Sequence, residues 1–437
     1  MIKTEYLILG AGLAGLSTAY HLKGEDFQLF EKEGEVGGLC RSYQIRGFTF
    51  DLTGHLLHFR QPEIKKWIVD LMGDNLVHHE RKAFIYSNQV FTDYPFQANL
   101  YGLPKEVIKE CLIGFVQALN EKTIKPSTTT KSFEEWIIQS LGVGIGKHFM
   151  IPFNEKLWRR PLKEMTADWV SWLVPQPKLE NVINGALGIS NNPMGYNPSF
   201  LYPREGGILS LGNRLVQQLN HVNLNEEVIE IHTQEKEVLF RSGKRVGYEH
   251  LISTLPLDIC ISKCIDLPFN LKEKVEKLEY VSVHVVNLGV EKPHVSDKHW
   301  VYFPEPQFSF YRVGFPSNLS PFMAPEGTSS LSIEVSALPR ETISRKELLQ
   351  QVKQGLYKTS ILSPEDSVAV EDVRTIPHAY VIYNHDYSKI VPELRSNLEE
   401  RGIYSIGRYG SWEHTSMEDA LSQGKRIAQT LLSQCRK

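Results

Sequence analysis

Apolar residues form a short unbroken run at Tyr6-Leu7-Ile8-Leu9, stop at Gly10-Ala11-Gly12, and resume from Leu13 at helical spacing. A run of that length ending in a glycine turn predicts a strand buried on both faces, as in parallel sheets. A second run, Phe27-Gln28-Leu29-Phe30, ends in the acid Glu31, and Tyr43 to Asp51 around Gly47 predicts a short hairpin. From about 60 to 185 the period becomes helical, with helices expected over 62–72, 104–120 and 132–142. Ser132, with Glu135 three residues on, forms a capping box opening the last of these. The segment 205–260 predicts a helix over 209–220, a strand over 227–232, a turn at Ser242-Gly243 and a buried strand over 250–254. Strand-like runs such as 281–287 and 331–335 point to a second, largely antiparallel sheet between 278 and 385. The chain closes with a buried strand over 403–407 and a helix from Ser416.

The opening strand, glycine turn, helix and acid-ended strand together predict a dinucleotide site. Gly10 permits the tight turn, Gly12 lets backbone approach a pyrophosphate, and Gly15 lets the helix pack on the sheet. The helix N-terminus offers free N–H groups to phosphate, and Glu31 can accept from both ribose hydroxyls. A second glycine pair, Gly37-Gly38, lies within Glu31-Lys32-Glu33-Gly34-Glu35-Val36-Gly37-Gly38-Leu39-Cys40-Arg41-Ser42. That run resembles the FAD signature of glutathione-reductase-like, amine-oxidase-type flavoproteins. The resemblance implies that the second loop follows the FAD diphosphate and that an arginine helps hold it. In the signature the arginine usually follows the glycines directly; here Arg41 stands two residues later.

The fold class expected is α/β: a Rossmann-like FAD-binding domain of the glutathione-reductase type, interleaved with a helical insertion and a mostly antiparallel substrate sheet. The FAD domain is expected from 1–60, 205–265 and 395–437, a mainly helical substrate region from 61–204, and the sheet from 266–394. Expected cofactor contacts are Gly10, Gly12, Leu13, Ala14, Gly15, Glu31, Lys32, Gly38, Leu39 and Arg41, then Gly54, His55, Val228, Thr254, Gly407, Arg408 and Met417. Gly10, Thr254 and Gly407 all follow strands, so they are expected to converge on one cofactor.

At 437 residues the chain is long enough for two or three domains. A net charge of −3 gives no global field for nucleic acid or acidic membrane, so local arginines and lysines must hold any anionic substrate. No segment reaches the roughly 18 apolar residues of a membrane helix, and no membrane span is expected. Cys40, Cys111, Cys260, Cys264 and Cys435 are dispersed, which suits reduced thiols in a cytoplasm. Cys260-x3-Cys264 is too little for a metal site, so no metal is expected.

Further motifs are more specific. Phe50-Asp51-Leu52-Thr53-Gly54-His55-Leu56-Leu57-His58-Phe59 resembles the glycine–histidine loop of UDP-galactopyranose mutases, particularly the eukaryotic-type enzymes. Gly407-Arg408-Tyr409-Gly410-Ser411-Trp412 resembles that family's C-terminal flavin motif, and the likeness extends motif by motif across nearly the whole chain. It implies that His55 lies beside the isoalloxazine and Arg408 near the FAD. Tyr94-Pro95-Phe96-Gln97 is similar to the family's uridine-binding segment, which implies base-binding roles for Tyr94, Phe96 and Gln97. Asn154, Trp158 and Asn197 match further positions around the uridine. Tyr302, Arg312 and Tyr380 match residues that hold the diphosphate, where a dianionic leaving group needs a guanidinium fork and hydroxyl donors.

The resemblance implies a mutase that interconverts pyranose and furanose forms of a UDP-sugar, UDP-galactose foremost. Reduced FAD would attack the anomeric carbon through N5, with His55, Arg312, Tyr302 and Tyr380 as the catalytic set. Three positions depart from the family pattern. A second diphosphate arginine falls by spacing near Leu173, one tyrosine at Leu319 and another at His414. Arg159 and Arg160 are candidates to replace the missing charge, and His414 could donate to a phosphate, more strongly if protonated.

Gly142-Val143-Gly144-Ile145-Gly146 is the one rival glycine run, and it follows a helix, so it reads as a loop. Any NAD(P)H is therefore expected as a transient reductant in the substrate cleft. The alternative is an FAD-dependent oxidoreductase of the amine-oxidase or protoporphyrinogen-oxidase type, which needs an apolar pocket and no diphosphate clamp.

Overall fold

The computed structural model describes residues 2–124, 132–170, 173–190, 194–195 and 197–435. Its first sheet is assembled from the start, middle and end of the chain. Strand Ile2–Leu9 runs parallel to Arg245–Ser253 on one side and to Phe27–Phe30 on the other, and Ile403–Ser405 joins Arg245–Ser253 in parallel. Tyr6 to Leu9 are wholly buried, because a parallel sheet covered on both faces has no polar side to present. Leu9 pairs with Ser253 and Ser253 with Ser405. Gly10, Thr254 and the Ile406-Gly407 turn therefore leave the sheet at one level, beyond its carboxyl ends, as expected. Helices Leu13–His21 and Met417–Cys435 lie side by side, and Gly424 allows the approach: a Cβ there would stand 2.4 Å from the Ala14 carbonyl oxygen.

The second sheet has the order Val368–Val381, Tyr280–Val290, Ser329–Ala337, Arg312–Gly314, Trp300–Tyr302, Ala83–Ser87, Val90–Asp93. Its neighbours are antiparallel except for Trp300–Tyr302 with Ala83–Ser87. The last two strands come from the region expected to be mainly helical, and Leu76–Glu80 in that region pairs with Ser199–Pro203. The stretch 61–204 thus adds strands to the second sheet among its helices. Its strands are four or five residues long and sit among longer helical periods that mask them.

Helix Pro62–Met72 has the expected bounds and Lys105–Ile124 runs past its expected end, whereas Phe133–Ile145 is broken at Gly142, the end expected for it. Ser132 caps the latter, its hydroxyl oxygen accepting from the Glu135 N–H at 3.2 Å. The helix breaks at Gly142, at φ 82 and ψ 163, and helical structure resumes directly after it, so Gly142 to Gly146 is a kink between two helical segments; a Cβ on Gly144 would stand 2.2 Å from the Glu110 carbonyl oxygen. These glycines serve close helix–helix approach. No described helix is long and apolar enough to cross a membrane.

Candidate active site

The cofactor cradle is two backbone loops in contact. Gly12 stands at the N-cap of helix Leu13–His21, with Leu13 and Ala14 in its first turn. The Gly37 N–H donates to the Ala11 carbonyl at 2.8 Å, and a Cβ on Gly38 (φ 60) would stand 3.1 Å from the Gly12 Cα. A Cβ on Gly15 would lie 2.0 Å from the Gly10 carbonyl oxygen, so the helix can press on the turn only with glycine there. Glu31 is buried at the end of its strand, accepting from the Ala11 N–H at 2.7 Å and the Glu33 N–H at 3.0 Å. Val228 lies close by, since the Glu226 N–H donates to the Glu31 carbonyl at 2.8 Å. The Thr254 hydroxyl donates to the Leu9 carbonyl at 2.9 Å, the Gly407 N–H donates to Gln423 Oε1 at 2.6 Å, and Met417 opens the final helix. Glycine cradle, helix N-terminus and the acid at the end of the second strand fit FAD.

Two expected contacts lie differently. The Lys32 side chain is exposed and pairs with Glu33 at 3.5 Å. Arg41 Nε donates to the Gly38 carbonyl at 2.8 Å while its guanidinium pairs with Glu33 and Glu35 at 3.5 and 3.8 Å. Arg41 therefore braces the second loop. Leu39 faces the substrate sheet, packing with Tyr311, Phe153 and Tyr380 in one cluster.

The loop after the hairpin exposes Gly54 and carries a half-buried His55. His55 Nδ1 lies 3.1 Å from the Thr53 carbonyl, which can only accept, so Nδ1 holds the proton and Nε2 keeps a lone pair. Burial, with the Arg408 and Arg312 charges adding to it, lowers the His55 pKa to about 4. Arg408 donates through Nη1 to the Thr415 carbonyl at 2.6 Å, with its guanidinium carbon 5.4 Å from the Tyr380 ring centre.

On the substrate side, Tyr302, Arg312 and Glu334 are register partners on one rung of the second sheet, so their side chains share a face. Glu334 accepts from Arg312 Nε at 3.1 Å and from Nη2 at 2.6 and 2.8 Å, and also from the Tyr311 hydroxyl. Desolvation is the largest influence and works against the guanidinium, but Glu334 together with Tyr380, Tyr311 and Tyr302 outweighs it and keeps the Arg312 pKa well above its ordinary value. The Tyr302 ring meets Tyr94 at 5.6 Å and Phe153 edge-on at 5.3 Å. Arg81 lies over Tyr94 at 4.8 Å and donates to Asn197 Oδ1 at 3.0 Å. Gln97 Nε2 donates to the Pro175 carbonyl at 2.6 Å, and Asn154 Oδ1 accepts from Trp158 Nε1 at 3.3 Å. Tyr380 stacks on His414 at 5.5 Å and meets Trp158 edge-on at 5.8 Å.

The expected residues thus gather in one region, with corrections. Phe96 is fully buried and stacks on Phe149 at 5.0 Å, and Trp158 is buried to the same degree. His414 is neutral: burial holds its pKa well below the ordinary value, with Arg408 acting in the same direction. Arg159 pairs with Glu341 at 3.2 Å and Arg160 with Glu279, so neither replaces the missing charge. Leu319 is buried, and its carbonyl accepts from His79 Nε2 at 2.9 Å. Glu334, Arg81 and Lys156 were not anticipated. Glu334 had a signal, as the one acid within the apolar strand Leu331-Ser332-Ile333-Glu334-Val335. Arg81 had none. Among described residues Cys40, Cys111, Cys260 and Cys264 are buried free thiols.

A glycine cradle at the end of one sheet, with Arg408 beside it reaching Tyr380 of the other sheet, is the arrangement of a flavoprotein. Residues 13–432 match the flavin-containing amine oxidoreductase family, and the chain belongs to it. Its structure is similar to that of a reduced UDP-galactopyranose mutase, with 28% identity and a TM-score of 0.93 over 98% of this chain and 96% of that one. It is also similar to putrescine oxidase bound to putrescine, at 16% identity and TM-score 0.65 over 99% of each chain, a likeness of fold alone. Coproporphyrinogen III oxidase of Mycobacterium tuberculosis is 32% identical over 111 residues, and the match spans 24% of this chain and 24% of that enzyme.

Proposed function

We propose that this flavin enzyme is a sugar-nucleotide mutase, interconverting pyranose and furanose forms of a UDP-sugar, with UDP-galactose as the first candidate. The observation that carries the reading is the Tyr302–Arg312–Glu334 rung, which sets a charged fork and a hydroxyl beside the aromatic Tyr94 and Phe153. The similarity to a reduced UDP-galactopyranose mutase over nearly the whole chain supports it.

Reduced FAD, when bound, supplies the nucleophile for the anomeric carbon. The chain does the rest. Arg312, Tyr302 and Tyr380 take up the charge that develops on the departing diphosphate. Glu334 fixes the plane of the Arg312 guanidinium through Nε and Nη2, and the Tyr302 side chain hydrogen-bonds the same group. Tyr94, Gln97, Asn154, Trp158 and Asn197 orient the base. Neutral His55 presents an Nε2 lone pair toward the reacting region without adding charge there. NAD(P)H would serve only as a transient reductant.

An FAD-dependent oxidoreductase of the amine-oxidase type is the second reading. One observation favours it: Glu334 already balances Arg312, and Leu173, Leu319 and neutral His414 add no charge. The deciding experiment is an anaerobic assay with UDP-galactofuranose, using reduced and oxidised flavin and anion-exchange separation of products. Conversion to UDP-galactopyranose only with reduced flavin is expected. Absence of both turnover and UDP binding would put the oxidoreductase first.

A further inference from the structure

Helix Ile151–Trp158 carries Asn154 and Trp158 four residues apart, on one face. On its other side it meets the hairpin formed by Trp300–Tyr302 and Arg312–Gly314, where Phe153 packs edge-on against Tyr302 at 5.3 Å. Lys156 reaches the loop that joins Tyr302 to Arg312. Its Nζ donates to the carbonyls of Phe303 at 2.7 Å, Phe310 at 3.3 Å, and Glu305. In its ammonium form Lys156 has three N–H donors for these three carbonyls, with burial lowering its pKa to about 7.

Phe303 adjoins Tyr302 and Phe310 lies two residues before Arg312, so the ammonium bonds to both limbs of the loop. It fixes the spacing of the limbs and ties both to the helix. The helix is also tied to the strand bearing Glu334, since the Ser336 hydroxyl donates to the Leu157 carbonyl at 2.8 Å. The loop has supports of its own. Phe303, Phe308 and Phe310 are buried, and Glu305 accepts from the Asn88 N–H at 2.8 Å. Lys156 therefore adds something other than the loop's fold: a rigid link to the helix of Asn154 and Trp158.

We propose that Lys156 is a positioning residue that couples the base-binding helix to the diphosphate-binding hairpin, so that the two halves of the pocket act as one. The inference rests on the nucleotide-sugar reading above. Without the link, the base still finds Asn154 and Trp158, but Tyr302 and Arg312 no longer sit at a fixed distance from it. The preorganised part of diphosphate binding is then lost while nucleoside binding is kept.

The test compares uridine and UDP binding to FAD-loaded wild type, Lys156→Met and Lys156→Gln by NMR titration, with Tm and FAD content as fold controls. Expected for Lys156→Met is UDP affinity lowered about tenfold, uridine affinity within about twofold of wild type, and full FAD content. Equal losses for both ligands, or no change in either, would overturn the proposal. If Lys156→Met does not fold, Lys156→Gln, which keeps an amide donor, decides by the same comparison. Failure of both to fold makes Lys156 a residue of stability alone and also overturns it. Wild type binding neither ligand is a separate outcome, which removes the nucleotide-sugar reading itself.

Discussion

Glu334 takes two of the three guanidinium nitrogens of Arg312, Nε and Nη2, and the Tyr311 hydroxyl closes the group from the other side. The pair is largely buried, so its geometry costs desolvation that the two charges must offset between them. What it gives in return is orientation. A lysine at 312 cannot reproduce a fork held at both Nε and Nη2, so Arg312→Lys should lower kcat/KM at least about tenfold. Glu334→Gln keeps the shape but removes the charge, and a loss of about the same size is expected with FAD content unchanged. A wild-type rate in Arg312→Lys would take Arg312 out of the site.

The cofactor cradle makes a sharper claim about a single atom. Gly15→Ala puts a methyl 2.0 Å from the Gly10 carbonyl, and that neighbour is backbone that cannot swing aside. The helix must lift from the turn, so the purified variant should carry little or no FAD by its flavin absorbance. Glu31→Gln keeps the volume and loses the charge that accepts from Ala11 and Glu33. FAD should then bind about tenfold more weakly, with the fold retained. Full flavin occupancy in Gly15→Ala would disprove the close approach.

The nucleotide fold was legible because its signals are local: an apolar run, a glycine turn and an acid within the first 31 residues. Register then brought Gly10, Thr254 and Gly407 together as their positions after strands implied. The substrate side was less legible, because its contacts depend on which way side chains face. Phe96 and Tyr94 are two residues apart in one motif, yet one is core and the other meets Arg81 and Tyr302. Arg159 and Arg160 likewise differ from a phosphate clamp only by direction, toward Glu341 and Glu279. Ala83–Ser87 was hidden because its partner in the sheet, Trp300–Tyr302, lies more than two hundred residues away, and Val90–Asp93 only adds a four-residue edge strand to it as a hairpin.

His55 makes a prediction about pH. Its pKa falls to about 4, so it is neutral throughout the range from 5 to 8 and gains its proton only below that range. An unfolded histidine titrates near 6.5, so the unfolded chain binds this proton first, and His55 lowers stability as pH falls below about 6.5. The kcat/KM profile should therefore have no limb near pH 6.5 that disappears in His55→Gln. Thermal unfolding should show His55→Gln losing less stability than wild type between pH 7 and pH 5. A catalytic limb near 6.5 that is abolished by the substitution would mean His55 is charged in the working enzyme.

His414 offers the opposite kind of test, a gain. Its ring stacks on Tyr380 at 5.5 Å and 17°, and burial keeps it neutral, so it brings no charge to a phosphate. A tyrosine there would keep the stacking plane and extend a hydroxyl beyond it. One added neutral hydrogen bond contributes about 1 kcal/mol, close to a fivefold change in affinity. His414→Tyr should then tighten UDP binding about fivefold if the diphosphate lies beside Tyr380. Calorimetry with UDP decides it, run beside His414→Phe, which has the ring and lacks the hydroxyl. If the two variants bind UDP equally, the diphosphate is elsewhere and Tyr380 loses its assigned role.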